Sequence, residues 1–455
     1  MKIKFKNLGY LEEGQINIGD LTIICGKNNT GKTYINYALY GFLRNLKDHL
    51  EFNVKKNHIE ELLSVGYAKI NLTEYESQIK SVINKALTLY NKSLYKTFSS
   101  NEESFSKTEF ELEFSNLKPN YERSYSLTLS SQKRQLLKFS KEENSKYLEI
   151  TYLIDEDSNT KLPEYIAKDG INNAISDIYF NKIIKKPYII TSERTGISLF
   201  YKELDINKNV FLERIQNRKK IEKIDFLKMM DESISRYAIS IQDNIDIIRD
   251  FDTLSKGKSF LCKDRKFTKY FEIILGGSFK HINNSIYFVQ KLDDKKNEIS
   301  IPLHATSSAV KSLLLFDLYI KHIANENNFL LIDEPELNLH PENQRRIARL
   351  IVRLVNKGIK VIMTTHSDII IREINNLIML NSINEPNKLY KKFKYSQEET
   401  INKEKVKVYT TIDRRIEESI IDDYGIKIDG FEEIFTDLTI ASEEIYFSLL
   451  DSKEK

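Results

Sequence analysis

The chain has 455 residues, 41% hydrophobic and 30% charged, with a formal net charge of +3. That balance excludes a disordered chain, and the length exceeds one compact core, so two or three lobes are expected. The small charge neither demands nor excludes nucleic acid. No run approaches the ~20 apolar residues of a membrane span. The start, "MKIKFKNLGY", alternates like a strand and has no signal-peptide core, and Cys25 and Cys262 form no metal-ligand spacing. A cytoplasmic protein without structural disulfides is the simplest account.

In chain order, strands are predicted at about 2–6, 14–18 and 21–25, then a glycine turn and a helix from Lys32 to about Asp48. The turn, "GKNNTGKT", spans Gly26, Lys27, Asn28, Asn29, Thr30, Gly31, Lys32 and Thr33 and fits the P-loop pattern. Its glycines let the backbone curl so that N–H groups face phosphate oxygens. Lys32 would reach the β- and γ-phosphates, and the Thr33 hydroxyl would ligate Mg²⁺. Residues 50–100 are mostly helical in pattern, and alternation from Glu109 to Leu153 suggests hairpins. "KKPYIITSERTG" (185–196) reads as a short buried strand ending in a polar loop, and 206–250 as a charged helical arm or lid. The stretch 255–270 interleaves Lys and Arg with Phe and Tyr, which suits either nucleic acid or a solvated basic surface.

A hairpin (285–303) leads into "HATSSAVKSLLLF" (304–316), where Ser307 and Ser308 precede an apolar helix, as helix caps do. "FLLIDEPE" (329–336) is a buried strand ending in adjacent carboxylates, which need a counter-charge such as a nucleotide's Mg²⁺. Asp333 would hold the Mg²⁺ shell and Glu334 would orient or deprotonate the attacking water. A helix (342–356) follows, then "VIMTTHSD" (361–368), a strand whose end puts His366 beside the same sheet edge, within reach of a γ-phosphate. A helix at 368–375 completes an α/β core with parallel strands, and the last 60 residues look like a small mixed cap.

This order of motifs resembles the ABC-type ATPase head shared by SMC, RecF and OLD-like proteins. The resemblance covers roughly residues 1–49, 181–205 and 285–380. It implies an α/β P-loop head with a mixed sheet, carrying helical and hairpin insertions between the P-loop and a signature helix. On that reading, 1–49 begins the head, 50–180 is an inserted lobe, 181–205 returns a head strand, 206–284 forms the arm, 285–395 completes the head and 396–455 caps it. The resemblance assigns Ser307 or Ser308 to the γ-phosphate of ATP held by a facing protomer, "ELNLHP" (336–341) to the dimer contact, and His366 to the switch position. Where the family carries glycine after the signature serine, this chain has Ala309. Glu193 and Arg194 stand where such heads often have a nucleotide-sensing loop; a structural salt bridge is the other reading.

ATP, Mg²⁺ and an ATP-bridged head dimer, or a higher oligomer, are thus the implied cofactors and assembly. The stretch from Ile332 to Leu380 looks closest to ATPases of two-component antiphage systems of the PARIS type, whose effector is a separate TOPRIM nuclease. Here only about 75 residues follow that stretch, without a persuasive nuclease metal set, so any nuclease would be a partner protein. The alternative is a RecF-like ATPase acting directly on DNA in repair or recombination.

Overall fold

The computed structural model describes residues 1–114, 121–131, 134–153, 162–180, 186–203, 237–283, 285–291, 298–427 and 439–446. Its centre is a nine-stranded mixed sheet. In chain order the strands are β1 (Lys2–Leu8), β2 (Leu11–Asn17), β3 (Leu21–Gly26), β4 (Glu109–Glu113), β5 (Tyr188–Ile190), β6 (Phe329–Asp333), β7 (Lys360–Thr365), β8 (Val406–Ile412) and β9 (Arg415–Glu418). In space they lie in the order β4-β1-β2-β9-β8-β3-β7-β6-β5. The run β8-β3-β7-β6-β5 is parallel throughout. The other end is mainly antiparallel, through β1 with β2, β1 with β4, and β8 with β9.

The parallel strands are covered on both faces, which is why they read as apolar runs and not as alternation. All of β3 and all of β6 are buried. Ile24, Leu331 and Ile362 pack on one side with helix α1 (Lys32–His49). Leu330, Ile332, Val361 and Met363 pack on the other with α4 (Pro341–Asn356) and α5 (Asp368–Ser382). Two further helices matter for the site: α2 (Arg194–Phe200) after β5, and α3 (Ser308–Leu318) before β6.

The hairpins expected from Glu109 to Leu153 divide. Glu109–Glu113 joins the central sheet as β4, whereas Tyr125–Ser131, Arg134–Lys141 and Tyr147–Tyr152 make an antiparallel sheet with Tyr67–Asn71. That last strand interrupts a region read as mostly helical. The arm expected over 206–250 falls mainly outside the described residues. Its described end is helix Ile239–Arg249, tied to α1 where Arg44 Nη2 donates to Asp243 Oδ1 at 2.9 Å. Residues 396–455, read as a small cap, contribute β8 and β9 to the central sheet, with β8 in register beside the P-loop strand. Among the described residues no helix is long and apolar enough to cross a membrane.

Candidate functional site

The carboxyl ends of β3, β6 and β7 converge on one edge, where the ligand crevice of a parallel sheet forms. The loop after β3 turns through Gly26 (φ 143°) and Gly31 (φ 91°), conformations that L side chains rarely adopt. Space enforces the same choice: a Cβ on Gly26 would lie 2.2 Å from Thr411 Oγ1. Lys27, Asn28 and Asn29 are exposed at the crown of the loop, and Thr30 Oγ1 donates to Lys27 O at 2.8 Å. Gly31 starts α1 without a side-chain cap, whereas α3, α4 and α5 are capped by Ser307, His340 and Ser367. The first N–H groups of α1 therefore keep their donors and the positive end of the helix dipole for an anion.

Lys32 is buried, and its ammonium donates to Gly26 O at 2.9 Å and Lys27 O at 2.6 Å. Burial pushes it below the ordinary lysine range, opposed by the charges of Glu334 and Asp333. Thr33 Oγ1 donates to Asp333 Oδ2 at 3.0 Å, and Thr364 Oγ1 donates to Asp333 Oδ1. Asp333 is only 1% exposed, and burial lifts its carboxyl to about 6 despite those two hydroxyls. A carboxylate held this dry has unspent demand for positive charge. With a neighbouring threonine hydroxyl it matches the one- or two-ligand protein share of a Mg²⁺ site completed by phosphates. Among the described residues no cluster of three or more His, Cys, Asp and Glu is gathered to hold a metal alone.

Past Asp333 the chain kinks. Glu334 has φ 51°, uncommon outside glycine, and its N–H donates to Thr364 O and Thr364 Oγ1, both at 3.2 Å. Its Oε1 lies 3.2 Å from His366 Nδ1. Glu336 is buried, and its Oε1 accepts from Thr365 Oγ1 at 2.8 Å and from His366 N at 2.9 Å, which fixes the backbone of the exposed histidine. Gly26–Thr33, Asp333, Glu334 and His366 are thus brought together.

Ser307 and Ser308 are exposed at the start of α3, with Ser307 Oγ accepting from Val310 N at 3.3 Å. Among the described residues, no hydrogen bond joins either serine to the loop of their own chain. Glu193 accepts from Tyr37 Oη at 2.8 Å. Arg194 forms no salt bridge with it; the guanidinium is buried and donates to backbone carbonyls beneath the Asp333–Glu334 turn. In the 255–270 stretch, Phe267 is buried and Tyr270 carries Arg353 over its ring at 4.0 Å, so these two rings serve the core and a cation.

Sequence reading missed Thr411, whose Oγ1 lies 2.6 Å from that of Thr30 and donates to Cys25 O at 3.2 Å. The β-branched run "VKVYTTI" was its available signal. It also passed over Thr364, although the residue stands in the quoted "VIMTTHSD".

A glycine loop opening onto an uncapped helix, with a buried Asp and a following Glu at the end of β6, one strand removed across β7, defines a P-loop nucleotide-binding protein. The model of the AAA ATPase domain family matches residues 1–371, and the chain belongs to that family. No curated protein matches the sequence. Similar solved structures include the SMC head domain of Pyrococcus furiosus, with an extended coiled coil and bound to the C-terminal domain of ScpA. It is 15% identical at TM-score 0.30, covering 97% of this chain and 98% of that one. Another is the SMC head domain of Thermotoga maritima, 12% identical at TM-score 0.30 over 92% of this chain and 98% of that one. At such TM-scores the overlay is distant, and family membership rests on the sequence match.

Proposed function

We propose that the protein binds and hydrolyses ATP with Mg²⁺, and that ATP bridges two heads whose pairing gates a separate effector, a nuclease, in antiphage defence. The observation that carries the catalytic part is the meeting of Lys32, Thr33, Asp333, Glu334 and His366 at one sheet edge. Gly26 to Thr33 would cradle the phosphates, with Lys32 released from the loop carbonyls to bind them. Thr33 and Asp333 would hold Mg²⁺, which when bound supplies positive charge to the phosphate oxygens. Glu334 accepts the proton of the attacking water, and His366, within hydrogen-bond reach of Glu334, faces the γ-phosphate.

The exposure of Ser307 and Ser308, apart from their own loop, supports their use by the facing protomer. A ligand that binds only the paired state shifts the population toward it, and hydrolysis releases it. Light scattering of Glu334→Gln tests this: ATP should double the mass, and arginine at only one of the two serine positions should abolish the doubling. A mass unmoved by ATP overturns the bridged dimer. The effector reading is tested by the native mass of the tagged complex from its own host. A heteromer with a nuclease-like subunit supports gating. A homomer that binds DNA in an ATP-dependent way favours the RecF-like alternative.

A further inference from the structure

Arg194 is 1% exposed, and none of its hydrogen bonds goes to a carboxylate. Nη1 donates to Thr191 O at 3.0 Å and Asp333 O at 2.8 Å, and Nη2 donates to Glu334 O at 2.6 Å. Successive carbonyls of a strand point in opposite directions. Two that converge on one guanidinium mark a kink, and this kink is the left-handed residue Glu334. A planar fork presents its two nitrogens to both oxygens in a fixed geometry, whereas an ammonium on a flexible stem imposes no fixed spacing between them. Burial pushes the guanidinium down to about 10, opposed only in part by the charges of Asp333, Glu336, Glu334 and Glu193.

We propose that Arg194 is the positioning residue for Glu334: by holding the Asp333 and Glu334 carbonyls, it keeps the turn kinked and the Glu334 carboxylate facing His366. The role rests on the ATPase reading above, since Glu334 needs an aim only if it serves a reaction. Arg194 acts from the start of α2, and the same short helix meets two other parts of the head. Thr195 Oγ1 accepts from Asn338 Nδ2 at 2.9 Å in the 336–341 loop, and Ser198 Oγ donates to Lys311 O at 3.1 Å in α3. A movement of the signature helix or of that loop therefore reaches the turn through Arg194.

The test is ATP affinity and turnover of the full chain carrying Arg194→Lys, alone and with Glu334→Gln, beside hydrogen exchange of the turn amides. ATP affinity should stay within about 3-fold of the parent while turnover falls about 10-fold or more. In the Glu334→Gln background the lysine should change residual turnover by less than about 2-fold, because it acts through the group already removed. The amides of residues 334–336 should exchange faster with β3 and β7 still protected. Full turnover in Arg194→Lys overturns the proposal, as does a loss that adds in full to that of Glu334→Gln. If Arg194→Lys and Arg194→Met both unfold, the arginine holds the fold and the positioning role is overturned. A parent protein without ATP turnover overturns the ATPase reading itself, and the proposal falls with it.

Discussion

The P-loop and the Asp333–Glu334 turn sit at the ends of strands β3 and β6, yet they reach unusual backbone shapes by opposite means. The loop places glycine at Gly26 and Gly31 and, between them, asparagine at Asn29 (φ 63°), the residue types that reach positive φ most easily. The turn places a charged residue in the left-handed region and surrounds it with donors and acceptors from Thr364 and Arg194. A shape carried by glycine is written locally and stands at little steric cost. A shape imposed on glutamate costs on the order of 1–3 kcal/mol and lasts only while its surroundings enforce it. On the function proposed above, binding sits on the first kind of backbone and chemistry on the second.

The sharpest way to separate the two is Glu334→Gln. Turnover should drop by about 10²–10⁴, the usual worth of a general base, with ATP affinity nearly kept. Stopped-flow phosphate release and calorimetric titration read the two quantities, and unchanged turnover would remove Glu334 from the role. Next comes Lys32→Ala, which strikes the loop instead. Losing charge-assisted bonds to phosphate should weaken ATP binding by about 10–100-fold; equal affinity by the same titration would undo the loop's assignment.

Gly26→Ala tests the local shape itself. The added Cβ meets Thr411 Oγ1, and the φ of 143° strains any L residue. A loss of about 1–3 kcal/mol in chemical denaturation is expected, and an unchanged midpoint would mean that the loop relaxes freely. The smallest effect is a gain. Asp333 holds its proton up to about 6 in the folded chain, against an ordinary 3.8. The folded state thus binds more protons between those values, so stability falls as pH rises through this window and stays lowered above it. Asp333→Asn should raise the melting temperature at neutral pH without nucleotide, and the gain should vanish below about pH 4. A gain that persists in acid would point to packing, not charge.

How legible each part was follows from the same contrast. Strand β3, the loop and α1 could be read because glycine spacing and a buried apolar run are local signals. Strands β6 and β7 could be read for the same reason. Strand β8 could not, because its place is set by pairing with a strand some 385 residues earlier, as Thr410 beside Cys25 illustrates, and no local pattern encodes that partner. Arg194 was noticed but left between a sensing loop and a salt bridge, since a sequence does not distinguish a guanidinium in water from one beneath a turn. The folding of Glu109–Glu113 into the central sheet was hidden likewise: alternation announces a strand and is silent about its neighbour.

The place of β8 bears on how the protein is made. Gly26 leaves the ribosome early, but the threonine that braces its loop stands at position 411, and the strand between Lys360 and Thr365 that flanks β3 on the other side is also late. Domains assemble as units during synthesis, and contacts this distant in sequence form slowly. The nascent chain must therefore carry an unfinished loop while the roughly 385 residues between Gly26 and Thr411 are made, and a chain without Val406–Ile412 would have a loop that lacks one wall.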